Sequence, residues 1–314
     1  MDPLRVLNEQ HGFFTRTEAL QHGYDDHAIQ RALRARSWRR IRVGAYTFAD
    51  LWPDSAERLL SLRGRAVFRK LGPAVALSHT SAALEHQLRL WDADLSKVHV
   101  TRLDGGSGRS ESGVEHHEGL TLATDLVERN GLLLTTAARA AIEAASLVRR
   151  DAGLGILDSA VQLGICSNDD LTCTYGLLEH WPHLQGVGPL VRMADGGAQS
   201  VGESRSRYLF FCHGLPAPQT QFKVEDEHGV VVAATDFGWP EHRAVGEFDG
   251  RVKYGRLLLP GQEPGDVVFA EKRREDTIRD LLPGWSVIRL TWSDLSVPAR
   301  TAERVRARLF RRAA

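Results

Sequence analysis

Three cysteines in 314 residues are too few, and too irregularly placed, to organise a fold. Cys166, Cys173 and Cys212 make an odd count without a CxxC pair, which argues against a disulfide framework and a structural zinc site and fits a reducing compartment. Cys166 and Cys173 stand in modest apolar surroundings, where buried thiols are expected. No run of about 18 apolar residues occurs, so no membrane-spanning helix is expected. The opening MDPLRVLNEQHG also lacks the apolar core of a signal peptide. Net charge is missing too, since 40 Lys and Arg balance 40 Asp and Glu. Whole-chain electrostatics therefore announce no nucleic-acid partner, and only local patches matter. The glycines of Leu103–Arg109 (LDGGSGR) lack the spacing of a phosphate loop and read as a turn. What is present, 25% charged and 42% apolar residues, fits a cytoplasmic globular protein with room for two or three domains.

Residues 1–50 read as helices followed by a small hairpin. Thr15 and Glu18 have capping-box spacing, Gly12 and Gly23 are stops, and Asp25 or Asp26 caps a helix whose Ile29 and Leu33 share a face. Gly44 then separates two β-prone runs, Trp38–Val43 and Ala45–Phe48, as a hairpin tip does. Helix, turn, helix and β wing is the order of a winged helix-turn-helix. Between Arg31 and Arg42 there are six arginines and no acid. Arg31, Arg34, Arg39, Arg40 and Arg42 on a helix end and wing would meet phosphates of double-stranded DNA, with Gln30, Arg31 and Arg34 as candidate base readers. A solvated arginine face is the plain alternative.

Residues 51–190 form a mixed α/β connector. Ala56–Lys70 and Ala137–Arg149 read as helices, the latter packing through Ile142 and Leu147, and Val98–Val100 reads as a strand. The histidines here, His79, His86, His99, His116, His117, His180 and His183, make no repeat and no HExxH. Ser78 and His79 are chain neighbours that do not easily face each other as a nucleophile and base must. His116-His117-Glu118 is equally weak as a metal site. These histidines are read as turn and surface residues.

Chemistry concentrates in residues 195–314. Glu203 falls in the first turn of a helix over Gly202–Phe211, and the stretch VVVAATDFGWPEHRAVGEFDGRVKY at Val230–Tyr254 carries Asp236, Glu247, Asp249 and Lys253. A hairpin symmetric about its central loop places Asp236 opposite Glu247, with Cβ atoms about 4.5–5.5 Å apart, and Asp249 on the same face. Like charges so placed are unfavourable unless a cation such as Mg²⁺ joins them. Asp236, Glu247 and Glu203 are the expected metal-associated acids, and Lys253 is placed to contact phosphate. The other reading is a salt-bridge network in which Arg243, Arg251, Lys253 or Lys272 neutralises the acids. Further on, Lys272, Asp276 and Arg279 share a helix face, and Trp285–Trp292 is a strand with Val287 and Arg289 on one side.

Two resemblances overlie this reading. HGFFTRTEALQHGYDDHAIQRALRARSWRRIRVGAYTFAD, with VALSHTSAALEHQL and LLLTTAARAAIEAAS further on, resembles the AbiEi antitoxin family, with Ala140 and Glu143 standing where threonine and aspartate often occur. GESRSRYLFFCHGLPAPQTQF, ATDFGWPEHRAVGEFDGRVKYG and AEKRREDTIRDLLPGWSVIRLTW resemble the restriction-endonuclease-like domains related to very-short-patch-repair endonucleases. In that family's pattern the acids match Glu203, Asp236, Glu247 and Asp249, with Lys272, Asp276, Arg279 and Arg289 in support. Asp249 stands where an ExK motif has lysine, and Lys253 near where related domains have histidine. The resemblances imply an α/β multidomain protein: N-terminal winged helix-turn-helix, mixed α/β connector and C-terminal restriction-endonuclease-like domain. Its expected activity is Mg²⁺-dependent cleavage of DNA, with a toxin or a second copy as partner. The alternative is a non-enzymatic transcription regulator or antitoxin whose nuclease-like domain is degenerate.

Overall fold

The protein is described from a computed structural model, which covers residues 2–225, 227–250 and 281–311. It is mixed α/β and forms two compact units, residues 1–148 with 169–188, and residues 149–168 with 189–314.

The first unit opens with three short helices whose ends are chemically marked. Helix α1 (Pro3–His11) is capped by Asp2 and stopped by Gly12 at φ 81°. After strand β1 (Phe14–Thr15), helix α2 (Arg16–Gln21) carries the full Thr15–Glu18 capping box. Asp25 caps α3 (Asp26–Arg34) by accepting from the Ala28 N–H at 2.6 Å. Strands β2 (Trp38–Arg42) and β3 (Ala45–Phe48) turn at Gly44, whose φ of 79° suits a residue without a side chain. The sheet order is β1-β3-β2, all antiparallel. Ile29 of α3 packs with Leu4, Phe14, Trp38 and Tyr46, and the Phe14 and Trp38 rings meet edge to face at 4.7 Å. The wing is also seated from behind, because Phe13, Ile41 and Ala45 pack on Ala66, Leu59 and Leu62 of α4 (Ala56–Leu71).

A six-stranded sheet follows. Its strands are β4 (Val75–Leu77), β5 (Val98–Arg102), β6 (Arg109–Glu111), β7 (Val114–His117), β8 (Leu126–Arg129) and β9 (Leu132–Thr135), in the order β6-β7-β5-β4-β9-β8. The β5–β7 and β4–β9 pairs are parallel. Helices α5 (His79–Glu85) and α6 (Ala137–Ser146) complete this layer. The helix expected to run to Arg149 ends at Ser146, and Leu147, expected to pack, is exposed. Helix α7 (Arg150–Gln162) belongs to the second unit, and α8 (Asn168–Leu178) to the first. Helix α8 buries Leu171 and Leu178, so Cys173 faces solvent. Cys166 is only half-buried, against the expectation of two buried thiols.

In the second unit α7 is bound to α10 (Val201–Cys212) by two ion pairs, Arg205–Asp151 and Arg207–Asp158, each at 2.8 Å. The residues expected to end the connector are thus drawn to the helix that carries Glu203. Helix α9 (Gly188–Met193) lies between them in sequence. The sheet runs β10 (Gln219–Glu225), β11 (Val231–Trp239), β12 (Ala244–Asp249) and β13 (Ser286–Thr291) in that spatial order, and only β12–β13 is parallel. Phe210, Phe237, Trp239, Ile288 and Leu290 form its core with α11 (Trp292–Leu295) and α12 (Pro298–Leu309).

Candidate functional site

The β11–β12 turn fixes the register on which the acids depend. Strand β11 runs to Trp239, a tight 3-10 turn holds Pro240–His242, and Arg243 takes a left-handed φ of 46° to re-enter the sheet. Phe237 then lies opposite Gly246, which brings Asp236 level with Glu247. The ladder stops there. In place of a further backbone pair, Asp236 Oδ2 accepts from the Phe248 N–H at 2.7 Å.

Glu203, Asp236, Glu247 and Asp249 line one cleft of about 380 Å³, together with Phe248, Arg289 and Trp292. Helix α10 reaches this cleft because residue 202 is glycine. A Cβ there would stand 1.9 Å from the Phe248 ring. Glu203 also stabilises its own helix start, accepting from the Gln199 N–H at 2.8 Å and from Ser200 Oγ at 2.7 Å. Sequence reasoning paired β12 with β11 alone. The structure adds β13 on the other side, with Arg289 in register with Glu247. The guanidinium facing the acids is therefore Arg289, and Arg243 lies at the turn and does not line the cleft.

The oxygen donors suit a hard divalent ion such as Mg²⁺. Yet among the described residues the only three or more ligand atoms within 4.8 Å of one another belong to His79, His99 and His117. The acids share a cleft without closing on a single point. Lys253, Lys272, Asp276 and Arg279 lie outside the described residues.

The basic stretch divides by burial. Gln30, Arg31 and Arg34 lie on the solvent side of α3, opposite Ile29, and Arg39 and Arg40 are exposed on β2. Arg39 stacks over Trp52, 3.6 Å from the ring centroid. Arg42 differs from the others, being half-buried, with burial pushing its guanidinium pKa below the usual value.

Of the histidines expected at turns and on the surface, His180 and His183 are exposed in turns, whereas His86, His99 and His116 are buried and His79 and His117 half-buried. His99 and His117 project from one sheet face, since the parallel register sets Thr101 beside His117 and His99 beside Glu115. His99 Nδ1 lies 2.9 Å from His117 Nε2, and the His79 ring stacks on His117 at 3.6 Å. Ser78 and His79 do face each other, with Oγ 3.0 Å from Nδ1, because His79 adopts an unusual φ of 50° at the start of α5. Ser78 is nevertheless fully buried, which removes it as a nucleophile for an outside substrate. Burial pushes all three imidazole pKa values down, that of His99 to about 4. Beneath them Glu143 accepts from the His79 N–H at 3.2 Å and from Arg139 Nε at 2.8 Å, and Arg139 also meets Asp125 at 2.7 Å. Burial raises the Glu143 carboxyl, and Arg139 draws it back down. No local motif announces this cluster, because its members come from three separate elements.

No protein-family model matches the chain. Two uncharacterised proteins of Mycobacterium tuberculosis, MT2308 and Rv2248 from two strains, are each 28% identical to it over 273 residues, covering 86% of this chain and 93% of each relative. A crystal structure of the RV2827C protein from the same organism covers 64% of this chain and 78% of its own, with a TM-score of 0.41 and 18% sequence identity.

Proposed function

We propose that this is a DNA-binding protein whose second unit is a metal-dependent phosphodiester-cleaving nuclease. The observation that carries the reading is the convergence of Glu203, Asp236, Glu247 and Asp249 on one cleft from a helix and two strands. Asp236 and Glu247 would hold Mg²⁺, with Glu203 completing the set once the ion draws the acids together, and the ion when bound would polarise a phosphate oxygen and acidify a water. The chain's own contribution is positional. The Asp236 bond to the Phe248 N–H fixes one carboxylate, the helix cap fixes Glu203, and Arg289 offers a fork of donors to a phosphate oxygen. In the first unit, α3 and the β2–β3 hairpin would act as the reading helix and wing of a winged helix. Exposure of Gln30, Arg31, Arg34, Arg39 and Arg40 supports that role, and half-burial makes Arg42 the weakest member of the set.

The test is a plasmid and oligonucleotide cleavage assay of the full chain with Mg²⁺ or Mn²⁺, on single- and double-stranded DNA. Nicking should occur and should vanish in D236A/E247A, while replacing Arg31, Arg34, Arg39 and Arg40 with alanine should weaken duplex binding and flatten its salt dependence. Equal cleavage by wild type and the double variant removes the enzymatic reading. Duplex binding that survives the four arginine changes removes the first unit as the DNA reader. DNA binding without cleavage would leave the second reading, a regulator, which the Glu247–Arg289 register favours.

A further inference from the structure

The tightest cluster of metal-ligating side chains among the described residues is not the acidic cleft but the histidine triad of the first unit. Its three imidazoles arise from the first residue of α5 and from two neighbouring parallel strands. One nitrogen from each lies within 4.8 Å of the other two.

We propose that His79, His99 and His117 bind a divalent transition-metal ion of the zinc class, leaving a fourth position open to the adjoining cavity. Three observations besides the cluster support the site. His99 Nδ1 and His117 Nε2 are 2.9 Å apart. Two nitrogens bound to one tetrahedral zinc at about 2.0–2.1 Å stand about 3.3 Å apart, so this pair needs only a few tenths of an ångström of opening. In the metal-free pair one of the two nitrogens carries the bridging hydrogen; as the ion enters, that neutral ring changes tautomer, giving up this hydrogen and taking one on its other ring nitrogen, so no net proton is released. Second, the supporting shell is present. His79 Nδ1 meets Ser78 Oγ at 3.0 Å and lies 3.6 Å from Glu143 Oε2. A proton on Nδ1 held by these oxygens leaves Nε2 unprotonated for the metal. Third, His79 and His117 border a cavity of about 730 Å³ with Glu143 and Trp181, which gives the fourth position room for water or a small ligand.

The stacked His79 and His117 rings lie in planes 16° from parallel with centroids 3.6 Å apart, so their in-plane lone pairs lie in two separate, nearly parallel planes. One ring must therefore turn about χ2, a soft torsion for histidine, before both can share an ion. Three imidazoles with an open position distinguish this site from the carboxylate cleft by chemistry, since Mg²⁺ prefers oxygen and zinc-class ions accept nitrogen.

Metal-stripped full-length protein titrated with Co²⁺ provides the test. With excess Mg²⁺ present to occupy the acidic cleft, the expected result is one Co²⁺ per chain, with the intense visible absorption of a tetrahedral or five-coordinate nitrogen site and no thiolate charge-transfer band, displaced by Zn²⁺. H79Q, H99N and H117Q should each lower the apparent Co²⁺ affinity at least tenfold, whereas D236N/E247Q should leave it unchanged. That last arm separates the site from the nuclease reading, since either can fail alone. Wild-type protein that binds no Co²⁺, shows only the weak spectrum of an octahedral oxygen site, or loses its spectrum in D236N/E247Q overturns the proposal. So does a folded histidine variant with unchanged affinity. If all three histidine variants unfold, the wild-type spectrum in excess Mg²⁺ decides the matter alone.

Discussion

Replacing Arg289 with glutamine should make the second unit less stable and more responsive to Mg²⁺. Glu247 stands between Asp236, level with it across the β11–β12 turn, and Arg289, in register on β13. At about 5 Å and an effective dielectric of about 20, each unit-charge interaction amounts to about 3 kcal/mol, repulsive on one side and attractive on the other. Arg289 is exposed, so solvent screening reduces its share to about 0.2–1 kcal/mol. R289Q removes the attraction and leaves the repulsion, so the second unit should lose about that much. The same change deepens the negative potential where a cation would sit. At an Mg²⁺ concentration of about 100 times Kd, binding adds about 2.7 kcal/mol, which for a domain of this size is a Tm rise of about 5–10 °C. Differential scanning calorimetry, which resolves separate unit transitions, should show saturation of that rise at lower Mg²⁺ in R289Q than in wild type, and no rise in D236N/E247Q. If D236N/E247Q keeps the wild-type Mg²⁺ response, the ion is not held by these acids. If R289Q costs stability without sharpening the response, the cleft is a salt-bridge network.

Two further outcomes follow from the packing of α10. Gly202→Ala would place a Cβ 1.9 Å from the Phe248 ring, so α10 or the ring must move, and the expected outcome is a shift of α10 away from β12; a loss of about 1–3 kcal/mol in a chemical melt is expected, with cleavage activity falling further than stability because Glu203 moves with its helix. An unchanged melt would show that the ring, and not the helix, yields. Burial pushes the Asp158 carboxyl up to about 6, with Arg207 drawing it down. A carboxyl raised above its unfolded value of about 3.9 contributes stability that is complete below about pH 4 and is lost as pH rises through about 6. Asp158→Asn should therefore flatten the pH dependence of unfolding between about pH 4 and 6 relative to wild type, and parallel curves for the two proteins would refute the assignment.

What the sequence made legible was local, because local structure is decided by neighbours in the chain. Thr15 and Glu18 close their capping box three residues apart, Gly44 supplies the positive φ of its turn, and hairpin symmetry alone set Asp236 level with Glu247. What stayed hidden depended on contacts between distant segments. Glu247 and Arg289 are 42 positions apart and meet only because β12 and β13 pair in parallel, and parallel pairing leaves no turn in the sequence to read. His79, His99 and His117 meet through a helix start and a diagonal across two parallel strands, so no fixed spacing could flag them. The Ser78–His79 contact escaped for another reason. It needs a backbone conformation that a histidine seldom adopts, and ordinary geometry for chain neighbours forbids it.

The cleft's charge bears directly on whether the second unit can touch DNA at all. Among the described residues lining it, four carboxylates face one guanidinium, a formal charge of −3. A phosphodiester entering that field is repelled, and the repulsion strengthens as water is squeezed out. With a divalent ion bound the formal charge falls to −1, and the ion and Arg289 then present positive charge to the phosphate. DNA contact through this cleft and divalent-ion binding therefore stand or fall together. Footprinting of the full chain on duplex DNA with and without Mg²⁺ separates the cases. Protection contributed by the second unit should appear only with the ion and should be lost in D236N/E247Q. If the full footprint forms in chelator and survives that substitution, the acids do not face DNA, and the binding rests on the exposed arginines of α3 and β2.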